Sequence, residues 1–437
     1  MHNRFSQTIC STFALTRVSA ALLFLVLAAD VVEARVAVVV HGTDGFSLRP
    51  AAYFEHLAAV RWKSQEQVEV LASDALTMAS EDPEQERHFA QALVAVKEGE
   101  AAYDNLEPDT AIDRLGQAVA DFEKAPLILA RQPKSYRKAL IYLAASHILN
   151  GDLVGGQEGF RRVLVVDPGA QLNKRVFPPG MVSMFDAARR DLVSDATSIL
   201  SVVSSPEHAR VYVGGVFRGV TPCDVDGLPL GQHLVGLRKA GYAPWAKVMT
   251  LRTGIDNSVN CRLEPAPDGR RLLSAVAEAA EELDEDQALP PELVSIAVGA
   301  GLDRILVGRL SQGDGALGLR LGLFDLPSGK PQRIYDGMLP GEGAAFAKAV
   351  HVVVTFMLTG RDDVLQSHPN LVAMKTASSI DLHSDGFHEP EDATPLVKRW
   401  WFWTAIAAGV AAVATGVTLG VMFSEESQPG SQILLEF

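Results

Sequence analysis

Cysteine is almost missing from this chain, with three in 437 residues. Cys10 precedes the first apolar run, so it cannot be a lipoprotein cysteine. Only Cys223 and Cys261 are left for the body of the chain. Basic charge is also scarce: 39 Lys and Arg stand against 53 Asp and Glu, a formal net charge of −14. Binding a phosphate backbone needs clustered cations, so nucleic acid is excluded as a partner. Catalytic signatures are missing too. There is no Gly-x-Ser-x-Gly elbow, no His-Glu-x-x-His and no metal cluster with recognisable spacing. Ser328-Gly329-Lys330 is not a phosphate loop, because the upstream Gly and the following Ser or Thr are absent. We therefore expect no enzymatic activity, no catalytic residue, no cofactor and no resident metal. Asp381 to Asp392 half-matches a calcium loop, but His383 takes its third position and Asp392 replaces the bidentate Glu.

Long apolar runs occur only near the two ends. Val18 to Ala29 follows Arg4 and Arg17 and is too short to span a bilayer comfortably. With Val32-Glu33-Ala34 as small residues before Arg35, residues 1–34 read as a secretory signal. Trp400 to Phe423 is an uncharged stretch of membrane-spanning length, with Trp400, Trp401 and Trp403 at one end and Lys398-Arg399 beside them. It reads as a transmembrane helix in the lipid bilayer, with a short tail at 424–437. Gly416 and Gly420 form a small-xxx-small pair, with Gly409 on nearly the same face, so helix association and a homodimer are expected. The signal would export the body to the periplasm of a bacterial cell envelope, anchored in the inner membrane. The positive-inside rule applied to Lys398-Arg399 alone would choose the reverse, but the first segment usually dominates. Residues 361–399 are polar and poorly periodic and read as a linker. Between the ends the composition is globular, 48% hydrophobic against 21% charged, enough for several domains.

The most informative stretch is Ile199 to Leu263. Short apolar runs alternate there with Gly and Pro turn signals, the pattern of a small all-β domain built from hairpins. Val211 and Val213 alternate with Tyr212, and Gly214-Gly215 can supply positive φ in a tight turn. The stretch contains Pro206-Glu207-His208-Ala209, Gly215, Gly219, Thr221-Pro222, Gly231, His233 and Gly241-Tyr242. These residues resemble the PEGA domain, a small β-sandwich module of bacterial envelope proteins. His208 stands where the family has Gly, so this turn either avoids positive φ or strains to reach it. The resemblance implies recognition or architecture rather than chemistry. Cys223 and Cys261 both lie in this module. In an oxidising compartment they can pair, and two buried thiols are the alternative; a disulfide is the expectation tested below.

Residues 84–195 read as helical, with two repeat-like units. Ala101-Ala102-Tyr103 to Ala118 forms the first, and Leu143 to Asp167-Pro168 the second. Small and large apolar residues at helical spacing suit antiparallel helices packed at Ala and Gly. The pattern resembles the tetratricopeptide repeat. The step from Asp109 to Asp152 is longer than that family's repeat, and the excess fits an insertion at Lys124 to Lys138. Ala187 to Val193 is expected to cap the stack.

Residues 35–83 read as a β-α-β segment, with a strand at Arg35 to Val40, a helix at Ala51 to Trp62 and a strand at Val68 to Leu71. Residues 266–360 read as α+β. Two helices are expected at Arg270 to Leu283 and Leu293 to Ala300. Strands at Arg304 to Leu310, Leu317 to Phe324 and Gln332 to Asp336 follow, then a helix at Ala344 to Leu358. Val307-Gly308-Arg309 ending a strand, followed by Asp325-Leu326-Pro327-Ser328-Gly329, resembles the nucleation domains of TolB-like and curli-secretion-type envelope proteins. Residues 35–75 are candidates to complete that domain in space. The expected whole is a multidomain α+β protein: helical repeats, a PEGA-like sandwich at 196–265, an α+β domain and a C-terminal transmembrane helix. The expected partners are envelope proteins and a cell-wall polymer, in an adaptor or in an accessory subunit of a secretion or surface-assembly apparatus.

Overall fold

A computed structural model describes residues 34–366, apart from 67, 78–81, 285, 314–315 and 342. The expected signal sequence, most of the linker, the transmembrane helix with Gly409, Gly416 and Gly420, and the tail lie outside the described residues. Among the described residues no helix is long and apolar enough to cross a membrane.

The chain opens with β1 (Ala34–Gly42), α1 (Leu48–Gln65) and β2 (Val68–Leu71), followed by a 3-10 turn at Ser73–Leu76. It then leaves this unit and returns about two hundred residues later. The returning part is α8 (Gly269–Glu281), α9 (Pro291–Gly299), β10 (Arg304–Gln312), β11 (Ala316–Asp325), β12 (Pro331–Pro340), α10 (Gly343–Thr359) and a short α11 (Asp362–Gln366). The two parts build one five-stranded sheet in the order β12-β11-β10-β1-β2. β1 is parallel to both neighbours, with Val36 opposite Arg304 on one side and Val70 on the other. The segment at 35–75 thus completes the C-terminal α+β domain. α11 occupies the start of the stretch read from sequence as linker.

Arg-Val-Ala-Val-Val-Val is continuous rather than alternating because β1 is central and covered on both faces. Val36, Val38 and Val40 face α1 and α10, whereas Ala37 and Val39 face α8 and α9. α1 contributes Tyr53, Phe54, Leu57, Ala58 and Trp62 to the first core. Fully burying a large side chain such as Phe54 is worth about 1.5–3 kcal/mol. Arg304 at the start of β10 sits over the Trp62 ring and pairs with Glu66, fastening the returning part to the end of α1.

The inserted chain is helical first: α2 (Pro83–Asp104), α3 (Pro108–Glu123), α4 (Pro126–Arg131), α5 (Pro133–Leu149), α6 (Leu153–Val166) and α7 (Pro179–Ser194). α2 packs on α3, α5 on α6 and α7 on α6. Close approach needs small residues. A Cβ on Gly99 would lie 2.5 Å from Leu115, and one on Gly159 would lie 2.6 Å from Ala144. The expected insertion at Lys124 to Lys138 contains α4.

The β module follows: β3 (Thr197–Ser205), β4 (Arg210–Val213), β5 (Val216–Val220), β6 (Cys223–Pro229), β7 (Gly231–Arg238), β8 (Trp245–Leu251) and β9 (Ser258–Arg262). Its two sheets, β6-β3-β9 and β5-β4-β7-β8, enclose one apolar core that includes Leu200, Val202, Val211, Val235 and Leu237. This is the small β-sandwich the turn signals called for.

If the split sheet is one unit, residues 266–366 expressed alone leave Ile305, Leu306 and Val307 without β1. Their amide NMR spectrum should be collapsed. A well-dispersed spectrum would show that the C-terminal meander is self-sufficient.

Candidate functional site

The sandwich sits between the other two parts, and its outer surfaces are unequally free. α1 packs on β5, covering that edge of the four-stranded sheet, while α4 and α6 pack on β7 and β8. Leu234 and Val248 join the helical core, and Phe217 and Val220 join the α/β core. The outer face of β6-β3-β9 carries the half-exposed Ile199 and Val203.

The seam with α1 is polar at its centre. Arg210, on β4, is 4% exposed. Its guanidinium pairs with Glu55 of α1, donates to Asp74 at 3.0 Å and donates to the Ser73 hydroxyl at 2.9 Å. Glu55 also accepts from the Ser73 hydroxyl at 2.7 Å and from the backbone N–H of Val40 at 3.0 Å. Burial works against the charge of Arg210, but the carboxylates of Glu55 and Asp74 outweigh it and raise the arginine's pKa. Around this cluster His56 stacks on Phe217 with ring centroids 4.0 Å apart, and Tyr53 meets Phe217 edge-on at 5.2 Å. Burial, reinforced by the Arg210 charge, pushes His56 down to about 3.

The motif residues at 206–209 and 219–222 come together around Thr221, which is fully buried. Its hydroxyl lies 2.6 Å from that of Ser204 and accepts from the Ala209 N–H at 2.9 Å. Its backbone N–H donates to Ala209, and its carbonyl accepts from His208. Ser204 Oγ in turn donates to the Pro206 carbonyl at 2.7 Å. His208 does reach the left-handed region, at φ 65°, while Glu207 beside it is exposed. Pro222 and Val220 carbonyls both accept from Arg49 of α1. A Cβ on Gly219 would meet the Tyr53 hydroxyl at 3.3 Å, so glycine here admits α1. Gly214 and Gly215 form the β4–β5 turn, both at positive φ. Gly231 packs against Val165 of α6. His233 is buried, with Nε2 2.7 Å from the Pro229 carbonyl; burial lowers its pKa, partly offset by that carbonyl. Gly241 lies against α8, where a Cβ would meet Leu273 at 2.7 Å, and Tyr242 bridges to Pro265.

The expected Cys223–Cys261 disulfide does not form: both thiols are free. They lie on β6 and β9, the strands on opposite sides of β3. Cys223 is opposite Val202 and Cys261 opposite Ser204. Two strand spacings of about 4.8 Å put their Cα atoms roughly 10 Å apart before any offset along the strand, beyond disulfide reach. Sequence placed both cysteines in one module but not their strand order.

Sequence reasoning also missed Arg210, Glu55, Ser73 and Asp74. A signal was there: Glu55 interrupts the apolar face Tyr53-Phe54 to Leu57-Ala58. Among the described residues, no group of three or more His, Cys, Asp or Glu side chains is placed to hold a metal ion. A groove of about 300 Å³ lies where α2, α4 and the loop before β8 meet, lined by Phe89, Leu93, Ile128, Asp82, Arg131 and Pro244. That volume is at the lower limit for a small-molecule site.

Arg210→Ala leaves two buried carboxylates without their cation and should cost about 3–5 kcal/mol in urea titration. A loss within ordinary surface scatter would show the seam to be solvated. The His56 value lies below that of a free imidazole, so its contribution is complete above about pH 6.5 and is lost as pH falls towards 3. Between those limits, stability of a His56→Phe variant should fall less steeply with acidification, by up to ~1.4 kcal/mol per pH unit. Equal slopes would place His56 outside the linkage.

Burial pushes the Cys223 thiol up to about 12. Native protein should resist iodoacetamide there at pH 8, and denatured, non-reduced protein should label at both Cys223 and Cys261. Failure of both to label when denatured would restore the disulfide.

No curated protein and no solved structure matches the chain. The model of the PEGA domain matches residues 197–267, the span of the sandwich and its exit loop, so this part of the chain is a PEGA domain.

Proposed function

We propose that the chain is a non-enzymatic, membrane-anchored adaptor of the bacterial cell envelope. In this reading α2 to α7 are tetratricopeptide-like repeats that bind envelope proteins, and the PEGA domain binds a second partner or a cell-wall polymer. The segment at 400–423 tethers the body to the inner membrane from the periplasmic side. The observation that carries the reading is a PEGA domain wedged between two other packed units, with a helical stack that exposes apolar side chains at one end. Leu106, in the α2–α3 turn, is 72% exposed, and Val154, at the start of α6, is 76% exposed. The two turns adjoin, since Asn150 donates to Asp109 at 2.9 Å. Large aliphatic groups clustered in water mark interaction surfaces more often than isolated ones do.

A second reading is an accessory subunit of a secretion or surface-assembly apparatus, with the α+β domain joining copies. It is favoured by β12, a ten-residue strand at the edge of the sheet that, among the described residues, pairs only with β11. An open edge of that length is a template for strand pairing.

A photo-activated cross-linking residue at Val154 in the membrane-borne chain should give discrete protein adducts. The same probe at Asp336 on β12 should give adducts with other copies only under the second reading. Absence of adducts at both positions, with the chain correctly inserted, would remove both.

A further inference from the structure

The helical stack contains one turn built twice. α2 runs out into Asn105-Leu106-Glu107, and α5 into Asn150-Gly151-Asp152. At each, the N–H of the second residue donates to the carbonyl three residues back at 3.0 Å, that of Tyr103 or Ile148. The N–H of the third donates to the carbonyl five residues back at 2.9 Å, that of Ala102 or His147. Both second residues lie in the left-handed region, Leu106 at φ 61° and Gly151 at φ 82°. Glycine suits this helix ending, because a side chain there is strained. One copy of the turn has it. The other holds a leucine whose side chain stands in water. Among the described residues only His208 shares this backbone region without being glycine.

Leu106 does not stand alone. Leu149 at the end of α5, and Leu153 and Val154 at the start of α6, are also exposed. The Asn150–Asp109 hydrogen bond brings the two turns together, so these four aliphatic residues share one end of the stack. Backbone strain spent to hold an aliphatic group in water does nothing for the fold. Charge at this end has one sign. Residues 98–113 and 139–160 contain no Lys or Arg, whereas Asp104, Glu107, Asp109 and Asp152 are all exposed. Asp109 accepts from Asn150, while Asp152 accepts from the Gly155 N–H and meets His147 at 3.0 Å. Asp104 and Glu107 remain for a cation brought by whatever covers the patch. An anionic membrane surface would be repelled by the same acids.

We propose that this end of the stack is a docking surface for a segment of a partner protein whose aliphatic side chains are flanked by Lys or Arg. The aliphatic groups pack against Leu106, Leu149, Leu153 and Val154, and the cations pair with Asp104 and Glu107. Leucine is kept at position 106 because glycine, though easier for the backbone, would take its side chain out of the patch. The acids select among apolar partners, since an acidic segment of the same shape meets like charge. The inference rests on the adaptor reading and deepens it, giving the chemistry of what the helical stack binds.

The test uses the full chain in neutral micelles, with leucine and valine methyl groups followed by NMR. The probe is a blocked peptide of sequence Lys-Leu-Leu-Lys-Leu-Leu-Lys, compared with the same peptide carrying Glu for Lys. The Lys peptide should shift the methyls of Leu149, Leu153 and Val154 saturably, and the Glu peptide should not. Leu106→Gly should melt no lower than wild type yet bind the Lys peptide roughly tenfold more weakly. Asp104→Lys combined with Glu107→Lys should reverse the preference to the Glu peptide. Equal response to both peptides, or unchanged affinity in Leu106→Gly, overturns the proposal. So do phosphatidylglycerol vesicles that move the same methyls. If Lys398→Gln with Arg399→Gln moves them without any peptide, the occupant is the chain's own segment and the proposal falls. Should Leu106→Gly fail to fold, Val154→Ser takes its place. Protein adducts at Val154 with no peptide response would sink this inference and leave the adaptor reading standing; no adducts there would remove both.

Discussion

One guanidinium, that of Arg210, fixes how the sandwich meets the α+β domain. Placing it out of water is costly, and a buried ion pair seldom repays its desolvation against apolar residues of the same size. Stability alone does not explain it. Glu55 accepts from Val40 in the central strand, from Ser73 beyond β2 and from Arg210 in the sandwich. The cluster is satisfied only when sheet, 3-10 turn and PEGA domain are all in place. An apolar seam would tolerate sliding. This one specifies a single docking geometry, since any slip strands a charge in a dry interface.

The sandwich is correspondingly committed. Its four-stranded sheet has an apolar inner face within the PEGA core and an outer face shared between α1 and the helices α4 and α6. The same packing covers the edge at β5, which would otherwise be a template for unwanted strand pairing. The chain reaches this arrangement by interrupting one α+β domain after β2 and resuming it at α8. Close to the crossing, Gly269 and Gly241 touch: a Cβ on Gly269 would fall 2.0 Å from the Gly241 carbonyl. The exit of the insertion is thereby packed against the sandwich.

Much of this was legible in the sequence. Continuous Val runs marked buried strands, Gly and Pro marked the hairpins, and the excess length between Asp109 and Asp152 marked an insertion before its role was known. What α4 does, seating β7 and β8, is a tertiary fact that local pattern does not contain. The cysteines failed for a related reason. Membership of one module says nothing about which strand lies between two others, and that order decides whether sulfur atoms can meet. Arg210 was illegible because a charged residue beginning a strand ordinarily faces water. The anomaly lay instead in Glu55, an acid on the apolar face of a helix, which has meaning only with its partner in view.

The outer face of the four-stranded sheet is spent on packing, so the open surfaces of the PEGA domain among the described residues include its other sheet and its turns. Among the helices, α6 packs directly on the sandwich. Val165 packs on Gly231, and a Cβ on Gly214 would approach the Val166 carbonyl at 3.1 Å. At Gly214 the turn approaches the helix backbone, and at Gly231 the sheet lies against the Val165 side chain. β7 ends at Arg238, across from Arg210. The path from helical stack through the sandwich to the α+β domain is thus continuous packing, and it ends at the charge cluster that joins the last two.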